Sequence, residues 1–214
     1  MGSWMSHLLF PERCSACRTP GAALCAVCIS RIKPSAPLSP HQHAIFSYSD
    51  RLVQRAIWEL KYYRHSELAR SLASAALPYI ANVLAPYSSV LLIPIPGSKR
   101  RARERGYNQA HLLASWWVSK LPGASIAPIL QKTRFTLPQA RCDKHTRHTN
   151  VVDSMSTTKV LDPSRTYVII DDVITTGATI AEATRALRAS GALHIIAIAL
   201  AHGYKQHPRH TGGS

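Results

Sequence analysis

The chain has 214 residues, 46% of them hydrophobic, enough for one full-sized core with a small appendage and too apolar for wholesale disorder. Lys and Arg number 26 against 11 Asp and Glu, giving a formal net charge of +15, a balance that favours polyanionic partners such as nucleic acid or a phosphate-rich substrate. No apolar run reaches the ~18–20 residues that cross a bilayer, and the opening MGSWMSHLLFPERC lacks the apolar core of a secretory signal, so a cytoplasmic protein without membrane insertion is expected.

In chain order, the first pattern is Cys14, Cys17, Cys25 and Cys28, which reads C-x2-C, seven residues, C-x2-C. Each pair can aim two thiolates at one tetrahedral Zn²⁺, and a closed four-thiolate shell leaves no position for water. The reading is one structural zinc per chain. A disulfide pair and a redox dithiol are the alternatives; a cytosolic setting argues against the first, and two tandem dithiols are too many for one redox centre. Cys142 stands alone in a polar stretch and reads as a free thiol. RIKPSAPLSPHQHA (31–44) carries three prolines and reads as an extended connection. The expected division is a zinc-binding module and linker over 1–44, a main domain over 45–207 and a flexible tail over 208–214.

DRLVQRAIWELKY (50–62) places Leu52, Val53, Ala56, Ile57 and Leu60 on one helical face, with Asp50 near the cap. SELARSLASAALPYIANVLA (66–85) is helical and bent or broken near Pro78. SVLLIPIP (89–96) reads as a buried strand, NQAHLLASWWVSKL (108–121) as a helix that Asn108 caps, and SIAPIL (125–130) as a strand. Residues 131–150 are polar. TYVII (166–170), ATIAEATRALRAS (178–190) and HIIAIALA (194–201) read as strand, helix and strand. This alternation predicts an α/β parallel sheet with helices on both faces, in which ligands sit beyond the carboxyl ends of the strands.

At that end the sequence reads YVIIDDVITTGATI (167–180). A buried strand has no use for two adjacent carboxylates, which are costly to bury unpaired. The TTGAT loop opens directly into a helix, where backbone N–H groups, glycine and threonine hydroxyls can converge on an anion. A ligand with a phosphate for the loop and hydroxyls for the acids, a sugar phosphate, meets both demands. A Walker-type ATPase would need a Gly-Lys dipeptide and a dinucleotide fold a G-x-G-x-x-G run; the chain has neither.

VIIDDVITTGATI resembles the phosphoribosyl-pyrophosphate (PRPP) motif of type I phosphoribosyltransferases. The resemblance implies that Asp171 and Asp172 hold the ribose hydroxyls and that Thr175, Thr176, Gly177, Ala178 and Thr179 cradle the 5′-phosphate. A narrower resemblance, to the ComF family with its ComFC-type and GntX-type members, covers nearly the whole chain. It runs through the cysteine knuckles, LKYYRHSELA (60–69), PIPGSKRRARERGYNQA (94–110), TLPQA and RHTN (136–150), and the PRPP motif, in that order. This implies a type I phosphoribosyltransferase-like domain behind a small four-cysteine zinc module, linked to single-stranded DNA uptake in natural transformation.

Two basic stretches flank the expected site. Lys99, Arg100, Arg101, Arg103 and Arg105 crowd the loop after the first strand, where they can meet pyrophosphate, contact DNA phosphates or form a solvated helix start. The resemblance implies that residues 131–150 correspond to the flexible loop that closes over PRPP in active transferases, where they offer Lys132, Arg134 and Arg147. No residue selects a nucleobase, and none is assigned as catalytic. Two readings stay open. One is a module that binds PRPP or a related sugar phosphate and handles single-stranded DNA with a ComFA-type translocase. The other is an active Mg²⁺-dependent phosphoribosyltransferase of nucleotide metabolism or salvage.

Overall fold

Apolar runs of strand length become a five-stranded, all-parallel sheet, and the longer amphipathic runs become the helices that cover it. The computed structural model describes residues 12–64, 66–97, 104–133 and 154–203. In chain order the elements are α1 (Ala26–Ile29), β1 (Gln42–Ser47), α2 (Arg51–Tyr62), α3 (Glu67–Ala75), α4 (Leu77–Leu84), β2 (Val90–Pro94), α5 (Gln109–Val118), β3 (Ala124–Ile126), β4 (Leu130–Lys132), β5 (Met155–Thr157), β6 (Thr166–Ile174), α6 (Ala178–Ala189) and β7 (His194–His202).

The strand order is β1-β7-β6-β2-β3, with β4 and β5 forming a separate antiparallel pair. From β2 the chain steps through α5 outward to β3; from β6 it steps through α6 the opposite way, to β7. Right-handed crossovers in opposite directions put α5 and α6 on opposite faces. The order therefore reverses between the neighbours β2 and β6, and that junction is where an open α/β sheet leaves a crevice for a ligand. The architecture is the α/β parallel sheet, with helices on both faces, that the sequence led us to expect.

Local chemistry explains the boundaries. Asp50 caps α2 by accepting from the Leu52 amide at 2.8 Å, and Asn108 caps α5 through the amides of Ala110 and His111. The run 66–85 breaks at Ala76, with Pro78 in the first turn of α4. Val53, Ala56, Ile57 and Leu60 are the buried stripe of α2. Trp117 is buried between layers, its indole N–H donating to the Ala73 carbonyl at 2.9 Å and tying α5 to α3. Gly123, at φ +75°, precedes β3 where an added Cβ would meet the Ser88 carbonyl oxygen at 2.8 Å, so this turn demands glycine.

Three features differ from the sequence reading. A strand, β1, begins at Gln42 and straddles the expected boundary at 44/45; the segment before it runs extended along its edge, with the Ser35 amide donating to Ile45 and the Ser47 amide to Lys33. That contact covers an otherwise open sheet edge. SIAPIL is not one strand: Ala124–Ile126 joins the main sheet, Pro128 lies in the interruption, and Leu130–Lys132 pairs with β5. Finally, β6 does not stop at the acids but continues to Ile174, because β7 is equally long and pairs with it as far as His202. Among the described residues no helix is long and apolar enough to cross a membrane. The expected tail, 208–214, lies outside them.

Candidate functional site

On its other side β6 loses its neighbour early. β2 ends at Pro94, opposite Ile170, and the Ile95 amide makes a last bond to the Ile170 carbonyl at 2.9 Å. Asp171 and Asp172 are the next two residues of β6, so they border a notch while still inside a strand. Their carboxylates bend back onto the backbone: Asp171 Oδ1 accepts from the Asp172 amide at 2.8 Å, and Asp172 Oδ1 from the Val173 amide at 2.9 Å. Burial pushes the Asp171 carboxyl well above the usual carboxylate range, the charge of Asp172 adds to the push, and Lys61 opposes it.

The notch opens into a cleft of about 570 Å³ lined by Asp171, Asp172, Thr175 and Thr179, with Pro96 and Gly97 opposite. Thr176, Gly177 and Ala178 make the turn between the two lining threonines. Gly177 takes φ +77° at the N-cap of α6 and offers no side-chain cap, while the Ala178 amide reaches Thr176 Oγ1 at 3.4 Å. Two acids and the threonines at the start of a helix thus share one cavity. Hydroxyls fit the first and a phosphate fits the second.

Other elements complete the walls. Lys61, in the last turn of α2, places Nζ 3.0 Å from Asp172 Oδ2. Arg105 donates to Gln109 Oε1 at 3.1 Å and lies over the Tyr62 ring at 5.3 Å. Gln109 Nε2 is a buried donor in the cleft wall with no hydrogen-bond partner among the described residues, a group that a ligand acceptor would satisfy. Lys132 also lines the cleft. Lys99, Arg100, Arg103, Arg134 and Arg147 lie outside the described residues. Sequence reasoning gave no role to Lys61, Trp58, Tyr62 or Gln109. The string KYYR at the end of α2 was the available signal, a basic and aromatic cluster lying off the helix's buried stripe.

The four cysteines form a second centre. Their Sγ atoms all lie within 4.8 Å of one another, with Cys17 and Cys25 at 3.7 Å, and none is in a disulfide. A tetrahedral Zn²⁺ with bonds of about 2.3 Å sets its sulfurs roughly 3.8 Å apart, so the donor set fits that ion. Backbone N–H groups of Cys17 and Cys25 hold the Cys14 thiol down at about 6, and hydrogen bonds to Thr19 lower Cys17. Interactions with the Cys17 and Cys25 sulfurs push Cys28 up to about 12, a conflict that a divalent cation would relieve. Cys14, Leu24, Cys28 and Ile32 are buried in continuity with the main core.

No family model matches the chain. It is 28% identical over 167 residues to competence protein ComFC of Bacillus subtilis, covering 78% of this chain and 65% of that protein. It is also 28% identical, over 217 aligned positions, to DNA utilization protein YhgH of Salmonella typhimurium, covering 86% of this chain and 94% of that one. Competence protein F of Haemophilus influenzae is 33% identical over 102 residues, covering 47% and 44% of the two chains. Among solved structures, the allosteric regulatory enzyme of purine biosynthesis aligns at 16% identity with a TM-score of 0.41, over 66% of this chain and 30% of that one. The purine phosphoribosyltransferase of Pyrococcus horikoshii aligns at 17% with a TM-score of 0.28, over 76% and 78%. The chain is matched along most of its length by competence and DNA-utilization proteins, with the knuckles and the PRPP-type motif in the expected order, and this similarity supports a ComF-family protein.

Proposed function

We infer that the chain binds PRPP or a related sugar phosphate in the notch between β2 and β6, and serves DNA utilization by handling single-stranded DNA. One observation carries the first part: Asp171 and Asp172 border the same cleft as Thr175 and Thr179, which bracket the Gly177-led start of α6. The acids accept hydrogen bonds from the ribose hydroxyls, and the amides and hydroxyls of Thr175–Thr179 receive the 5′-phosphate. Mg²⁺ arriving with PRPP would supply positive charge to the diphosphate, for which Lys132 and Arg105 are the cations at hand. The second part draws on the relatives' names and on the +15 charge. A ComFA-type translocase is the proposed protein partner, and the cysteine centre is proposed to hold one structural zinc.

Calorimetric titration with PRPP and Mg²⁺ tests the site. Wild type should bind, and the Asp171→Asn/Asp172→Asn double variant should bind at least about tenfold more weakly, a loss of ~1.4 kcal/mol. Equal binding by the two proteins, or none by either, removes this reading. Pyrophosphate release from PRPP with candidate nucleobases then separates a binding module from an active transferase.

A further inference from the structure

Three large aromatic side chains stand exposed where α2 ends. Trp58, Tyr62 and Tyr63 are 52%, 57% and 56% exposed, although α2 has a buried stripe of its own and they lie off it. The rings are packed on one another: Trp58 lies 5.2 Å from Tyr62 and 5.6 Å from Tyr63 between ring centres. Tyr62 in turn carries the Arg105 guanidinium over its face at 5.3 Å. Trp58 and Tyr62 also line the cleft that holds the two aspartates. The fold gains little burial from these rings, so their clustering calls for a partner.

We propose that Trp58, Tyr62 and Tyr63 form a base-stacking platform for single-stranded DNA at the mouth of the cleft. Charge complementarity identifies the occupant. The chain is strongly basic, and the guanidinium sits against the ring cluster, where a phosphate beside a stacked base would meet it. Two of the nearby acids are each engaged by a cation: Glu59 accepts from Arg55 at 2.9 Å as well as from Ser66 at 2.8 Å, and Asp172 is paired with Lys61. Rings offered edge and face to solvent accept bases that are already unstacked. A duplex keeps its bases hidden, so the strand must be single. Stacking is indifferent to sequence, because every base has a π-face. A strand lying on the platform would pass the opening of the sugar-phosphate cleft. The inference rests on the reading that this chain handles single-stranded DNA.

Fluorescence anisotropy on the full chain tests it with two labelled strands of equal length and phosphate number, oligothymidylate and its abasic counterpart, each followed over a range of salt. Wild type should bind oligothymidylate at least about fivefold tighter than the abasic strand. Trp58→Ala and Tyr63→Ala should erase most of that preference while leaving the salt slope unchanged, and Trp58→Phe should retain it; circular dichroism confirms that each variant is folded. Equal affinity of wild type for the two strands, or an undiminished preference in both alanine variants, overturns the platform and leaves the DNA reading standing. No binding of either strand at low salt overturns both. A PRPP titration of wild type is independent of all these outcomes and reports on the sugar-phosphate site alone.

Discussion

Lys61 Nζ lies 3.0 Å from Asp172 Oδ2, joining the last turn of α2 to β6 at the point where β2 has already ended. Both side chains are largely shielded, at 14% and 18% exposure, so the pair is screened less than a surface ion pair. It gives one of two adjacent carboxylates a fixed cation and leaves the other to burial.

Replacing Lys61 by methionine keeps length and apolar stem but removes the charge. Stability at neutral pH should fall by about 1–2 kcal/mol, read from urea unfolding. The Asp171 carboxyl should titrate higher than in wild type, because Lys61 is the charge that opposes its upward shift. An unchanged Asp171 titration in a carboxyl NMR experiment would show that the pair does not govern the site.

Asp171 sets a pH dependence of known sign. Its folded-state pKa is raised above the unfolded value, so the folded protein binds the extra proton. Its contribution to stability is complete below the ordinary carboxylate pKa near 3.8 and is lost as pH rises through the raised value. Asp171→Asn should flatten that part of the stability profile and raise Tm at neutral pH. Hydroxyl donors favour the ionised carboxylate, so PRPP should bind more tightly as pH rises through the same window and release a proton on binding. Calorimetry in two buffers of different ionisation enthalpy measures that proton.

Glu182 ties α6 to the short β4–β5 pair. Only 5% exposed, it accepts from the Met155 amide at 2.8 Å and from Arg185 at 2.8 Å through both carboxylate oxygens, while Arg185 also donates to the Met155 carbonyl at 3.0 Å. Glu182→Ala strands a buried amide and should cost about 2–3 kcal/mol. Hydrogen exchange should quicken first at Met155–Thr157, before the main sheet responds.

The cysteine centre should carry one zinc per chain by elemental analysis, with Cys17→Ser and Cys25→Ser each lowering metal retention. Its ligands must be deprotonated, so metal affinity should fall as pH is lowered. Because Cys14 and Cys28 are buried in continuity with Ile32 and the core, chelation should lower the Tm of the whole protein and not merely fray the first thirty or so residues.

Much of this was legible in the chain because periodicity reports burial. The α2 stripe, the break near Pro78, the Asn108 cap and the strands β2, β6 and β7 follow from apolar spacing and stop signals. β1 escaped notice because its first residues, Gln42 and His43, are polar and it lies at the sheet edge. SIAPIL looked continuous because an apolar run does not reveal which sheet each half joins. The acids looked terminal because a strand's end depends on its neighbours: β7 carries β6 onward, while β2 releases it at Ile170. Lys61 and Gln109 carry no periodic signal, and their importance comes from what the fold brings opposite them.

The unequal lengths of β2 and β6 separate the floor of the cleft from its furnishings. The floor is a stretch of β6 whose position is set from its far side, by pairing of Asp171, Val173 and Ile174 with β7. The walls come from pieces that take no part in that pairing: the final turn of α2, the first turn of α6 and the residues following β2. Substitutions in the walls can therefore alter which ligand is admitted without disturbing strand register. A fold so divided can change the ligand it holds, and what it does with it, while its sheet stays as it is.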